Sequence, residues 1–387
     1  SVGVGVVTAK AVGSGNIGRL NQIIHCAAGL TCVLSLVFTV LGLIMAPEFL
    51  RWIQTPADVL ENATAYLRLY LLSLISIVSY NMGSGILRAL GNTKSPTLYQ
   101  LAGGIANIIG NTLFICFLDW GVQGAALATA CSQGLAAFLI IRHLCTIKTP
   151  YRLRLRQLQI NASICGQFLL VGIPAAIQSI VITLSNLIVQ AHINQLGIDS
   201  MAAFTAYFKV ENFIYLPIMA FGQACSTFTS QNIGANQVDR AKQGVKTSLF
   251  LGITVTISAS VLTLCFSDFA FGLFSKEPAV IALGTKIAFV AYPFYFIYVF
   301  LEVYASAIRG AGKALPAMLI VVINMCVVRT CILKVVLHFY PNALGVAAIY
   351  PLTWACTGLC LFLYYKSGGW FSAQTDVARK RISVGQR

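Results

Sequence analysis

The sequence predicts an all-α polytopic membrane protein made of two six-helix lobes related by a pseudo-twofold axis along the membrane normal. Three observations lead there. The 387 residues are 58% hydrophobic and only 10% charged, whereas an ordinary soluble domain carries about 25% charged residues. Ten apolar runs are each long enough to cross a hydrocarbon layer of about 30 Å as a helix, where backbone polar groups must be satisfied internally. The chain also repeats itself at a constant offset of 221 residues.

The ten runs fall at roughly 23–46, 64–87, 96–118, 123–142, 163–191, 203–231, 246–268, 283–308, 314–337 and 344–365. Residues 1–9, SVGVGVVTA, are apolar and lead straight into a polar loop. They read as the tail of one more helix whose beginning precedes the sequence, so the chain is expected to be N-terminally truncated.

The repeat shows first in two polar interruptions. GILRALGNTKSP, residues 85–96, carries Arg88, Asn92 and Lys94 between long apolar runs, and SAIRGAGKALP at 306–316 has the same arginine, glycine and proline order. Setting residue n against n+221 pairs Thr8 with Thr229, Gly13 with Gly234, Arg19 with Arg240, Gln22 with Gln243, Arg88 with Arg309, Gly91 with Gly312 and Gly124 with Gly345. Pro96 and Pro316 slip by one. The run at 163–191 then has no partner, and its counterpart would lie about sixty residues before Ser1 on the repeat offset. Twelve helices in two halves of six are expected, with the first helix and most of the second missing. An even number per half gives both repeats the same orientation, as in parallel repeats related by an axis along the membrane normal. The domains expected are an N-lobe over 1–147, a linker over 148–160, a C-lobe over 161–366 and a tail over 367–387.

A net charge of +15 would point to nucleic acid in a soluble protein, but its placement argues for topology instead. Counting loops alternately, 19 of the 26 basic residues fall on one side, from Lys10 and Arg19 through the 142–156 loop to Arg379, Lys380, Arg381 and Arg387. Glu48, Asp58, Glu61, Asp119, Asp199, Asp268 and Glu277 lie on the other. The positive-inside rule makes the basic side and the C-terminal tail cytoplasmic, in a multi-pass protein of the plasma membrane. The basic 142–156 loop serves mainly to orient the protein, with contact to anionic lipid a second role its composition allows, and KTPYRLRLRQLQ at 148–159 joins the two halves. The twelve cysteines show no zinc or redox spacing and the four histidines are scattered, so neither a metal centre nor a cofactor is expected. A polytopic enzyme would need clustered His, Asp or Glu near one face, and the sequence has no such cluster.

Ionisable residues inside spans are costly and mark function by default. Glu302 lies deep in one span and Arg329 in the next, while Gln178 is a neutral polar residue after the GIP turn. Glu302 and Arg329 are expected to form an ion pair, or else Glu302 exchanges a proton or sodium ion while Arg329 sets its pKa. Lys334 and Arg68 can snorkel from the span ends, and Lys209 and Glu211 are placed in the first turns of the 203–231 helix. Asn107 and Asn111 stand one helical turn apart with Thr129 on the following helix, an amide and hydroxyl set suited to a hard cation or to interhelical hydrogen bonding. Pro174, Pro217 and Pro293 each remove a helical hydrogen bond and favour kinks, and the first two are candidate hinges.

Seven segments in order, TAKAVGSGNIGRLNQ, GILRALGNTKSP, NIIGNTLFI, GVQGAALATACSQ, GIPAAIQ, SQNIGANQVDRAKQG and IRGAGKALP, resemble the multidrug and toxic compound extrusion (MATE) family over nearly the whole chain. The resemblance implies a monomeric antiporter that exports small organic, often cationic, drugs by alternating access, driven by inward Na+ or H+, with no cofactor and no nucleic-acid partner. It implies a cation site in the N-lobe at Asn107, Asn111 and Thr129, completed in relatives by a first-helix aspartate that would lie before Ser1. In the second lobe Gln178 replaces a carboxylate found in some relatives, which leaves Glu302 as that lobe's buried acid. Tyr207, Phe208, Phe213, Tyr295 and Tyr298 would line the drug cavity, or else serve simply as packing. A lipid-linked oligosaccharide flippase of the same superfamily is the nearest alternative, and a non-transporting scaffold or receptor the alternative of another class.

Overall fold

The computed structural model describes residues 1–371. Among these the chain is helical, and nine helical segments meet the length and hydropathy needed to cross a membrane. The basic residues expected at 379–381 and 387, with most of the tail, lie outside the described residues.

Two compact units divide between Leu169 and Leu170. The N-terminal unit holds α1 (Val2–Gly13), α2 (Ile17–Trp52), α3 (Ala57–Leu72), α4 (Leu74–Ala89), α5 (Lys94–Asn111), a π-helical turn Thr112–Phe117, α6 (Gly121–Thr146) and the first turns of α7 (Ala162–Gln195). The C-terminal unit holds the rest of α7, then α8 (Ile198–Gly234), α9 (Val238–Cys265), a short α10 (Ser267–Gly272), α11 (Pro278–Ala291) and α12 (Tyr295–Gly310). It continues with α13 (Ala314–Ile323), a π-helical turn Asn324–Val328, α14 (Arg329–Phe339) and α15 (Ala343–Lys366).

All ten sequence runs are helical. The run at 203–231, in α8, is the exception to the hydropathy test. Helix starts follow their side chains. Asn16 accepts a hydrogen bond from the Arg19 N–H at 2.9 Å, Asn161 accepts from the Ser163 and Ile164 N–H groups at 3.0 and 3.2 Å, and Asn342 accepts from the Gly345 N–H at 2.9 Å. Each satisfies donors that the first helical turn leaves without partners. Pro174 and Pro217 sit inside continuous α7 and α8, whereas Pro293 falls in a 3-10 turn, Tyr292–Phe294, that separates α11 from α12.

The duplication reaches the turns. At the end of α4 the Asn92 N–H donates to the Leu87 carbonyl at 2.9 Å, and at the end of α12 the Lys313 N–H donates to the Ile308 carbonyl at 3.1 Å. Those four residues are related by the 221 offset, and the glycines between them, Gly91 and Gly312, have φ of 87° and 89°. A left-handed residue closing a helix this way strongly favours glycine.

Polarity is inverted relative to a soluble helix. On α2 Phe38, Leu41 and Ile44 are exposed while Ser35 and Thr39 are buried, as expected where lipid, not water, meets the outer face. With no hydrophobic drive between helices in lipid, close packing of small residues carries the association. In the C-terminal unit α12 packs on α8 so closely that a Cβ on Gly310 would lie 2.5 Å from the Ser226 carbonyl oxygen. Gly310→Ala is therefore expected to destabilise the unit by about 1–3 kcal/mol. Gly104→Ala, which has open space around it, should be neutral or stabilising by up to about 1 kcal/mol. Thermal unfolding of the two variants in detergent checks the contrast.

Candidate functional site

In the N-terminal unit α5 and α6 bring Asn107, Asn111 and Thr129 together, with Ser132 as a fourth member that the sequence reading did not single out. The Asn111 amide donates to Asn107 Oδ1 at 3.0 Å, and the Asn107 amide faces Thr129 Oγ1 and Ser132 Oγ, each at 3.4 Å. Thr129 and Ser132 hydroxyls donate back to the Ala125 and Thr129 carbonyls at 3.0 and 2.9 Å. One acceptor is left over: Asn111 Oδ1 is buried and has no hydrogen-bond partner among the described residues. An unmatched buried acceptor costs about 1–3 kcal/mol. The oxygen set fits a small hard cation, which takes amide, hydroxyl and carbonyl oxygens. Asn111 ends α5 where the helix widens into its π-helical turn, a local geometry frequent at functional sites.

In the C-terminal unit Glu302 and Arg329 do not pair. Glu302 Oε1 accepts from Arg309 Nη2 at 2.9 Å and from the Ser306 hydroxyl at 2.8 Å, and Arg309 also reaches Ser306 Oγ at 2.8 Å and Gln178 Oε1 at 3.3 Å. The pair is buried, with side chains 7% and 13% exposed. The expected partner is displaced because Glu302 and Arg309 share one face of α12, seven residues apart, and helical side chains lean toward the N-terminus. Arg309 therefore folds back two turns onto Glu302. Its repeat counterpart Arg88 reaches back likewise, to Ser84 Oγ at 2.5 Å. Gln178 ties the group to α7.

Arg329 occupies a separate polar site. Buried at 3% exposure, its guanidinium donates to Asn186 Oδ1 at 2.8 Å and Ser185 Oγ at 3.2 Å, lies 4.7 Å from the Tyr350 ring centre, and leaves Nε without a partner among the described residues. It follows the second π-helical turn directly. Glu211, placed by sequence in the first turns of its helix, stands thirteen residues beyond the start at Ile198 and accepts a hydrogen bond from the Tyr295 hydroxyl. It also lies within electrostatic reach of Arg329. The apolar run begins at about 203, five residues after the helix does, so pattern alone sets this acid nearer the helix start.

Of the aromatic residues expected either to line a cavity or to pack, four have ring partners and one is exposed. Tyr207 and Tyr295 are fully enclosed: Tyr207 stacks on Tyr292 with centroids 5.1 Å apart, and Tyr295 and Tyr298 pack edge-on to Trp354 at 4.6 and 5.4 Å. Phe208 sits against Tyr350 at 6.4 Å, and Phe213 is 67% exposed. For the enclosed Tyr207 and Tyr295 these contacts are core packing. A depression of about 570 Å³ does open in the N-terminal unit, lined by Asn62, Asp119, Trp120, Val122 and Gln123, none of them among the expected site residues. Among the described residues no group of three or more His, Cys, Asp or Glu is placed to hold a metal.

A family model described as MatE matches residues 1–113 and 174–333. The chain belongs to the MatE family. This is a family of transporters, not of enzymes. Asn107 and Asn111 lie in the first matched segment, Gln178, Glu302, Arg309 and Arg329 in the second, and Thr129 between them. The MatE chain is 28% identical over 370 residues to the "Probable multidrug resistance protein YpnP" of Bacillus subtilis (strain 168), covering 92% of this chain and 80% of that protein. It is 25% identical over 379 residues to the "Probable multidrug resistance protein YoeA" of the same organism, covering 95% and 82%. A solved structure described as MATE in the straight conformation matches with a TM-score of 0.89 at 20% identity, over 97% of this chain and 84% of that one. That likeness shows a shared fold.

Proposed function

We propose that this MatE-family protein is a cation-coupled exporter. It moves organic, often cationic, compounds out across the plasma membrane by alternating access as Na+ or H+ flows inward, with its basic loop side in the cytoplasm. The observation that carries the reading is the Asn107–Asn111–Thr129 cluster with its unmatched Asn111 Oδ1. The multidrug relatives supply the substrate class.

In this reading Asn111 Oδ1, Asn107 Oδ1 and Thr129 Oγ1 hold the coupling ion between α5 and α6. A ligand shifts a conformational equilibrium only as far as it binds one state better than the other. An ion that needs oxygens from two helices favours the state in which those helices close on it. In the C-lobe, Glu302 is the second coupling group, and proton gain there would loosen its bonds to Arg309 and, through Arg309, the Gln178 link to α7. Pro174, one turn before Gln178, and Pro217 are the hinges that let α7 and α8 bend. The 148–160 linker joins the lobes.

Reconstituted vesicles preloaded with ethidium test the proposal. Efflux should accelerate several-fold under an imposed sodium or proton gradient, and the gradient that drives it names the ion. Ethidium movement that is indifferent to both gradients would sink the exporter reading.

A further inference from the structure

The segment between α6 and α7 is more than a tether. No acidic residue occurs between Asp119 and Asp199, while Arg142, Lys148, Arg152, Arg154 and Arg156 all fall in that interval. Arg152, Arg154 and Arg156 are exposed and in no ion pair among the described residues. Among the described residues no carboxylate pairs with them.

The segment is also fastened down. The Leu153 N–H donates to the Leu144 carbonyl at 2.9 Å and the Leu153 side chain is buried. His25 Nδ1 lies 2.8 Å from the Asn21 carbonyl, so it carries the proton there, and Nε2 accepts from the Arg154 N–H at 3.0 Å. The Asn161 N–H faces Cys26 Sγ at 3.4 Å. At Gly29 the chain passes so near α2 that a Cβ would lie 2.8 Å from the Gln159 carbonyl oxygen. The backbone at Arg154 is extended, so neighbouring side chains alternate: Leu153 points in and Arg152 and Arg154 point out together.

Between and beyond the arginines the exposed side chains are apolar. Leu155 and Ile160 are 61% and 60% exposed and Leu158 is 37% exposed. A stretch pinned at the level where two spanning helices end, with guanidinium groups and bare leucines side by side, has the composition of a membrane interface. Water would leave the leucines unburied, and a hydrocarbon layer would leave the arginines unsolvated.

We propose that the 151–160 segment is a docking surface for anionic phospholipid, with Arg152, Arg154 and Arg156 on the headgroup phosphates and Leu155 and Ile160 at the acyl boundary. Guanidinium forks match phosphate oxygens in pairs, and charge complementarity selects an anionic over a zwitterionic lipid. The inference rests on charge, exposure and fastening, and stands whatever the protein transports.

Native mass spectrometry of the purified full chain, given equimolar phosphatidylglycerol and phosphatidylcholine, tests it. The wild type should retain phosphatidylglycerol at least about tenfold over phosphatidylcholine. Each arginine near a charged surface is worth about fivefold in affinity, so Arg152→Gln with Arg154→Gln and Arg156→Gln should abolish the preference. Arg142 and Lys148 remain in that variant to orient the chain. The matching triple change to lysine keeps the charge and should keep most of the preference, which separates lipid loss from misfolding. Leu155→Gln with Ile160→Gln should weaken retention several-fold without changing charge. Equal retention of the two lipids by the wild type, undiminished phosphatidylglycerol on the triple glutamine variant, or its displacement by equimolar inorganic phosphate would each overturn the assignment.

Discussion

Arg309→Met is expected to destabilise the C-terminal unit by about 3–5 kcal/mol, the cost of leaving a buried charge without its partner. Glu302 is the residue stranded. Its Oε1 takes bonds from Arg309 Nη2 and from Ser306, and a lone hydroxyl does not offset a carboxylate charge. Arg309→Lys should recover only part of the loss, because one ammonium cannot reproduce a fork that touches Glu302, Ser306 and Gln178. Glu302→Gln combined with Arg309→Met replaces the ion pair by a neutral pair of similar bulk and should be more stable than Arg309→Met alone. Thermal unfolding of the wild type, both singles and the double gives the coupling energy directly. A double no more stable than Arg309→Met would mean that the pair is not what holds α12 in place.

The second large effect is on transport. Asn111→Leu removes the unmatched Oδ1 and one amide hydrogen bond, that to Asn107 Oδ1. The folding cost is that of one neutral hydrogen bond, about 0.5–1.5 kcal/mol, while an interaction with a charged group is worth about 1.5–3 kcal/mol. Cation affinity should therefore fall about ten- to a hundredfold in a protein that still folds. Asn111→Asp keeps an oxygen in place and adds a charge, so cation-driven efflux should persist. Efflux rate against cation concentration measures the shift. Thr129→Val should act in the same direction more weakly, since Thr129 Oγ1 already accepts from the Asn107 amide.

The spans were legible because length and hydropathy alone define a membrane helix, and the 221 offset was legible because turns conserve backbone geometry. Gly91 and Gly312, matched first as letters, share a left-handed φ and the same closing hydrogen bond. Asn107, Asn111 and Thr129 could be grouped because an i, i+4 pair faces one neighbour and α6 follows α5 after a short turn. What sequence could not supply was the direction in which long side chains lean. Arg309 stands in the polar interruption SAIRGAGKALP, yet it folds back two turns to Glu302, and Arg329, on the adjacent helix, finds Asn186 and Ser185 on α7 instead. Glu211 was placed too close to its helix start for a related reason: apolar patterning marks the part of a helix in lipid, and α8 begins at Ile198, before that pattern does. The aromatics were ambiguous in sequence because the same rings can wall a cavity or fill a core, and only their mutual packing distinguishes the two.

The most direct measurement follows the ion instead of the drug. Vesicles holding the wild-type protein and no imposed gradient are loaded with ethidium, and the entry of Na+ or H+ is recorded as ethidium leaves. Obligatory exchange predicts that ethidium release draws in one of the two ions at a fixed ratio, and that Asn111→Leu slows ion and drug movement together. Ethidium release with no matching entry of either ion would contradict cation-coupled export.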